Sequence, residues 1–179
     1  MTCAGGSAGA GTVAVSFVGP DGPVEGELRR LWNVRFEDVA PVRGFGSFKG
    51  QRHFAGSWWF ATTRRHVGFE SWVERDQLMA LDFDRSVVGV SSQPFWLTLD
   101  CGPDRRRHVP DYFARLRDGS AVVIDVRPDE RVKPQDAAVF AATAASCAAV
   151  GWGYRRVGVP DPVFTANLRW LAGYRHTGA

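Results

Sequence analysis

Asp111 follows a proline in the run HVPDYFARLRDGSAVVIDVRPDE, residues 108–130, and Asp125 ends the apolar segment AVVI inside the same run. Between them Asp118 and Gly119 form a turn signal, so residues 108–117 and 121–127 read as the two arms of a β-hairpin. Folding at that turn brings Asp111, early on the first arm, to Asp125, late on the second, at one end of a sheet. Arg127 lies two residues beyond Asp125 and shares its face by the period of a strand. Two carboxylates and a cation then meet where the strands run out. Carboxylates so close raise one another's pKa unless a divalent cation balances them, and oxygen ligands with room for water suit Mg²⁺ or Mn²⁺. The chemistry suggested is attack of water on a phosphodiester, with Arg127 holding the phosphate or the water. On pattern alone, strand-ending aspartates paired with arginines at a structural rim account for these residues equally well.

A third acid would come from FESWVERDQLMALDF, residues 69–83, whose apolar residues Phe69, Trp72, Val73, Leu78 and Leu81 predict one helix. Glu70, Glu74 and Gln77 recur at spacings of four and three and so share a face of it, which is either solvated or aimed at a cation. Next, SVVGVSSQPFWLTLD, residues 86–100, predicts a strand, a break at Gln93 and Pro94, and a second strand. CGPDRRR reads as a turn leading into the hairpin. Pro134 opens a helix of small residues ending at Gly151, WGYRRVGV is a further strand, and Asp161 and Pro162 start a last helix with an apolar stripe Phe164, Leu168, Leu171. The order from residue 64 is helix, a run of strands, helix, strand, helix, which predicts an α/β sandwich with a central mixed β-sheet flanked by helices.

Upstream, residues 1–27 are rich in Gly, Ala and Ser and include GPDGP, and they read as a disordered leader. Residues 28–63 read as a basic and aromatic extension carrying Arg29, Arg30, Arg35, Arg43, Lys49, Arg52 and His53 among tryptophans and phenylalanines. Such interleaving suits nucleic acid, and it equally suits an irregular flap packed on the core. Residues 64–179 are left as the functional core. The net charge of +3 is mild, and Lys49 and Lys133 are the only lysines, so charge alone names no partner. Cys3, Cys101 and Cys147 are far apart and odd in number, which argues against a disulfide framework or a zinc site and for a reducing cytoplasm. No apolar run has the length of a membrane span, and the start lacks the basic region of a signal peptide. His53, His66, His108 and His176 show no metal-ligand spacing, although His108, beside Pro110 and Asp111, is placed to donate to a phosphate. No Gly-rich loop followed by lysine is present to cradle a nucleoside triphosphate.

At these residues the sequence resembles the PD-(D/E)xK nucleases and, more closely, the TnsA-type endonuclease subunits of heteromeric transposases. The resemblance runs from about Arg64 to His176 and keeps its order. SWVE, residues 71–74, is similar to the family's helix motif; VVGVSSQPF to the next strand; VPDYFARLRDG to the strand of the central aspartate; VIDVRP to the strand of the signature; and DPVFTANLRWLAGYR to the closing helix. It implies a restriction-endonuclease-like sandwich in which Glu74, Asp111 and Asp125 bind Mg²⁺ or Mn²⁺, with the Val126 carbonyl as a further ligand and Glu70 as the alternative to Glu74. It implies nicking of double-stranded DNA at transposon ends in a bacterial cytoplasm, with strand joining left to a partner transposase of the RNase H type. Arg127 stands where the family's signature has lysine, and arginine is always charged and forks differently, so altered or reduced cleavage is expected; Lys133 is a candidate for the missing amine. A catalytically weakened module that holds DNA or a partner without cutting is the alternative reading.

Overall fold

In the computed structural model the described residues are 13–44, 55–101 and 104–175. Ten strands and four helices follow in chain order: β1 (Ala14–Gly19), β2 (Gly22–Glu27), α1 (Leu28–Leu31), a 3₁₀ turn (Phe36–Asp38), β3 (Gly56–Phe60), β4 (Arg65–Phe69), α2 (Trp72–Phe83), β5 (Val87–Ser92), β6 (Trp96–Cys101), β7 (Asp104–His108), β8 (Tyr112–Leu116), β9 (Ala121–Val126), a 3₁₀ turn (Asp129–Arg131), α3 (Pro134–Ala148), β10 (Gly153–Val157) and α4 (Pro162–Ala172). The protein is of the mixed α/β class.

The expected hairpin is there. Tyr112 pairs with Ile124 and Arg115 with Ala121, and Gly119 adopts φ +88°, which only glycine takes readily. β8 and β9 are the middle strands of a four-stranded sheet ordered β10-β9-β8-β5. β10 runs parallel to β9, joined through α3, and the other pairings are antiparallel. The sheet is therefore mixed. Alternate residues of β9 face two cores: Val122 and Ile124 pack with Tyr112, Phe60 and Leu78, while Ala121 and Val123 pack with Phe113, Phe95, Phe36, Cys147 and Trp152. Two-sided burial explains why this strand reads as an unbroken apolar run.

Several expectations are corrected. Residues 14–27 are no leader: β1 and β2 form a hairpin, and β1 adds to β6. Val15 and Phe17, two apart on β1, are buried; the Asp21-Gly22 turn signal inside GPDGP was the clue to a hairpin. Residues 1–12 of that segment lie outside the described residues. Nor are residues 28–63 an appended extension, since Phe36 is fully buried at the centre of an aromatic cluster. The expected boundary at 63/64 falls in the turn between β3 and β4, which the buried Asp82 carboxylate of α2 pins by accepting from the Ala61 and Thr62 backbone N–H groups. Lys49, Arg52 and His53 lie outside the described residues, as do Cys3 and His176.

The second strand of 86–100 also departs from expectation. β6 leaves the mixed sheet for another, ordered β2-β1-β6-β7. Within CGPDRRR, Asp104–Arg107 belong to a strand, β7, that pairs antiparallel with β6 rather than to a turn alone, with Thr98 opposite Arg107 and Leu97 opposite His108; Gly102 and Pro103 lie outside the described residues. The chain breaks at 109–111 before re-entering the mixed sheet as β8, because Pro110 cannot continue a ladder. Asp111 is thereby set at the seam of the two sheets. In α4, Leu168 and Thr165 are buried, but Phe164 and Leu171 of the expected stripe are 49% and 43% exposed. None of the described helices is long and apolar enough to cross a membrane.

Candidate active site: an acidic seam in an arginine-lined cleft

Continuing the β8–β9 register by one residue sets Asp111 opposite Asp125. The link is direct, for Asp111 Oδ2 accepts the backbone N–H of Val126 at 2.6 Å. On its other side the backbone carbonyl of Asp111 accepts from Gln93 N at 2.9 Å, extending the β5–β8 ladder through the predicted Gln-Pro break. Gln93 is buried and takes a left-handed φ of +46°, a strained conformation for a non-glycine residue. Its own carbonyl accepts from Val42 N at 2.9 Å, which brings in the segment that carries Arg43.

Glu74 arrives from the first turn of α2. Ser71 caps that helix by accepting from Glu74 N, while Glu74 returns both oxygens, accepting from Ser71 Oγ at 2.8 Å and from Glu70 N at 2.7 Å. The spacing S-x-x-E is that of a capping box, but here Glu74 accepts from the Glu70 N–H and the Ser71 hydroxyl rather than from the Ser71 N–H. Glu70, the alternative to Glu74, is instead paired with Arg43 at 2.9 Å. Gln77, expected on the same face, donates to the Gly158 carbonyl.

Burial raises the affinity of Glu74 for its proton, against the two hydrogen bonds it accepts. Asp111 is pushed well above the usual carboxylate range, first by burial and then by the charges of Glu74 and Asp125; the Val126 N–H and Arg43 only partly offset this. Asp111 therefore stands electrostatically between the other two acids. Asp125 is almost wholly buried, and its oxygens are occupied: His108 Nε2 lies 2.9 and 3.0 Å from them and Tyr154 donates its hydroxyl at 2.8 Å. Burial and that carboxylate hold the Tyr154 hydroxyl protonated far above the ordinary range. Cys147 is buried in the core, and its thiol is pushed up to about 12, first by burial and then by the Asp125 charge, which disfavours the reactive thiolate.

Two cavities meet at Asp111. One, of about 230 Å³, holds Asp111, Asp125, His108, Trp96 and Arg107; the other, of about 350 Å³, holds Asp111, Glu74, Glu70 and Arg131. Arg43, Val126 and Arg127 line both. Arg127, expected on the face of Asp125, is exposed and lines both cavities. Lys133 lines neither cavity; its backbone N–H donates to Asp136 at the start of α3. Sequence reasoning placed Arg43 in the basic segment 28–63 without tying it to the acids, and it missed Trp96 and Arg107, which line the cleft, and Tyr154, which donates to Asp125; no spacing links these residues to the acids.

A Mg²⁺ or Mn²⁺ ion would find hard oxygen donors here, in the carboxylates and the Val126 carbonyl. Asp111 fits that role: one oxygen takes the Val126 N–H, the other accepts no hydrogen bond among the described residues, and the crowded negative charge is what a divalent ion offsets. Glu74 and Asp125 are turned toward the protein's own donors. Accordingly, among the described residues no three His, Cys, Asp or Glu side chains are grouped closely enough to hold an ion. Ligation by all three acids requires Glu74 to leave its cap and Asp125 to share its oxygens with His108 and Tyr154. Compared with known proteins, the chain matches no family model and no curated protein.

Proposed function

We propose that the chain is a Mg²⁺- or Mn²⁺-dependent DNA endonuclease of the PD-(D/E)xK kind, a TnsA-like subunit with a restriction-endonuclease-like core. The observation that carries this reading is the position of Asp111, between Glu74 and Asp125 at the end of a mixed sheet, facing a cleft walled by Arg43, Arg107 and Arg127. Asp111, Asp125, Glu74 and the Val126 carbonyl would hold the ion. A divalent cation supplies Lewis acidity for attack of water on a phosphodiester. The exposed Arg127 guanidinium, at the junction of both cavities, holds the scissile phosphate in place of the usual lysine. Transposon ends as substrate, a partner transposase that joins strands, and a bacterial cytoplasm come from the resemblance of the ordered motifs.

The test is nicking of supercoiled DNA with Mg²⁺ or Mn²⁺, beside calorimetric titration of the metal, for the wild type and Asp111→Ala. Metal binding and nicking by the wild type, both lost in Asp111→Ala while circular dichroism is unchanged, are the expected results. A wild type that neither binds metal nor nicks DNA sinks the endonuclease.

One observation favours the second reading, a weakened module that binds DNA without cutting. The hydrogen bonds of Asp125 to His108 and Tyr154, and of Glu74 within its cap, give two of the three acids structural employment. That reading expects salt-sensitive DNA binding with no metal-dependent nicking.

A further inference from the structure

Arg107 extends from β7 with its guanidinium carbon 4.3 Å from the centroid of the Trp96 ring. Its neighbours on the strand are paired, Arg105 with Asp100 and Arg106 with Asp104. Arg107 has no carboxylate partner among the described residues. An arginine held over an indole is fixed in place by a contact that occupies none of its N–H groups, so its fork of donors stays available to an anion.

That fork opens on a third cavity, of about 290 Å³, lined by Arg106, Arg107, His108, Arg127, Gln135 and Phe140 among others. The one carboxylate on its wall, Asp136, already accepts from Lys133 N at 3.1 Å. Arg106 is paired with Asp104, but Arg107 and Arg127 have no carboxylate partner among the described residues; two guanidiniums free of ion pairs beside one engaged carboxylate make it a site for an anion, and the planar donor forks suit phosphate oxygens. Arg107, His108, Arg127 and Phe140 also line the cavity of Asp111 and Asp125, and Arg127 lines all three. The anion site and the acidic seam thus share a wall.

The geometry points to this cavity as a binding subsite for a backbone phosphate of DNA flanking the bond presented at Asp111, with Arg107, steadied by Trp96, as its positioning residue. The inference rests on the endonuclease reading for the nature of the ligand. It moves a DNA contact from the basic segment 28–63, where the sequence suggested it, to the β6–β7 hairpin.

The test is fluorescence anisotropy of a labelled DNA duplex in EDTA, over a series of salt concentrations, for the wild type, Arg107→Ala, Arg107→Lys and Arg30→Ala. Arg30 is exposed on α1 and paired with Glu27, so its loss removes the same charge elsewhere. Arg107→Ala is expected to lower the slope of log affinity against log salt by about one, with Arg107→Lys in between and Arg30→Ala like the wild type. In the nicking assay Arg107→Ala raises KM for DNA roughly tenfold and leaves kcat in place. Equal losses in Arg107→Ala and Arg30→Ala, or none in either, overturn the subsite. Inorganic phosphate that binds the wild type and not Arg107→Ala, with duplex binding unchanged, would assign the cavity to a free phosphate and overturn its assignment to DNA. Nicking that depends on Asp111 but ignores Arg107 overturns the subsite and leaves the endonuclease standing; a wild type that binds no duplex overturns both.

Discussion

Asp111 Oδ2 accepts the backbone N–H of Val126, the residue after Asp125, at 2.6 Å. The hydrogen bond ties the start of β8 to the end of β9 and holds one carboxylate beside another. It favours the charged form, yet burial and the charges of Glu74 and Asp125 outweigh it and raise the pKa. A carboxyl whose folded pKa lies above its unfolded value binds more protons in the native state between the two, so ionising it there costs stability as pH rises. In metal-free protein Asp111→Asn is therefore expected to raise Tm at neutral pH, by about 2–4 °C for each kcal/mol relieved. The advantage shrinks as pH falls toward the ordinary aspartate range, where the wild type is itself protonated. Thermal melts in EDTA across pH check this; an Asp111→Asn protein less stable than the wild type at neutral pH would refute it.

His108 and Tyr154 meet on Asp125 from different strands, β7 and β10, so the buried carboxylate joins the two sheets. Removing either donor leaves a buried charge under-satisfied, at a cost of about 1–3 kcal/mol. His108→Ala and Tyr154→Phe should each lower the urea midpoint with no change in m-value. Because both act on one group, their effects should be non-additive, by about 0.5–3 kcal/mol in a double-mutant cycle. Additive losses would show that the two donors act separately.

The sequence made the acid pair legible because a hairpin is a local object. The Asp118-Gly119 turn and the two-residue period were enough to bring Asp111 to Asp125, and the βαβ unit of β9, α3 and β10 was readable from its caps. What stayed hidden depends on pairings between distant segments. β1 joins β6 across some eighty residues of chain, and no local pattern states that β6 will leave the sheet that β5 enters. Low complexity around residues 1–12 obscured the alternation of Val15 and Phe17. Glu74 shows a different failure: its position was read, but S-x-x-E describes a helix cap as well as a ligand, and the cap is what its hydrogen bonds make.

Asp76 of α2 is buried and is held by Arg169 of α4 through two hydrogen bonds, at 2.7 and 3.1 Å. Arg75 adds a third contact at 3.0 Å. Truncating Arg169 would leave Asp76 charged with one weaker partner, whereas Asp76→Ala removes the buried charge together with its hydrogen bonds. Arg169→Ala is thus expected to destabilise the protein by up to about 3 kcal/mol, discounted because Arg169 is half-exposed, and Asp76→Ala/Arg169→Ala to recover part of that loss. Urea unfolding of both variants measures it. Since α2 carries Glu74, metal titration of Arg169→Ala also shows whether loosening α2 reaches the acidic seam.

Among the described residues Arg127 lines both cavities that hold the acids and the anion cavity beside them, and no ion pair holds its side chain. Within the endonuclease reading it acts on charge that develops as the phosphodiester is attacked, so its loss should appear in kcat more than in KM. Arg127→Ala is expected to slow nicking about 10²-fold, the usual consequence of deleting one preorganised donor to a transition state. Arg127→Lys discriminates further. A compact ammonium restores the signature found in the family the sequence resembles, and its nicking rate should equal or exceed that of the wild type. If Arg127→Lys and Arg127→Ala lose activity together, the forked guanidinium is itself required and this chain positions its phosphate by a geometry that lysine cannot reproduce. If neither changes the rate while Asp111→Ala abolishes it, Arg127 has no part in the chemistry.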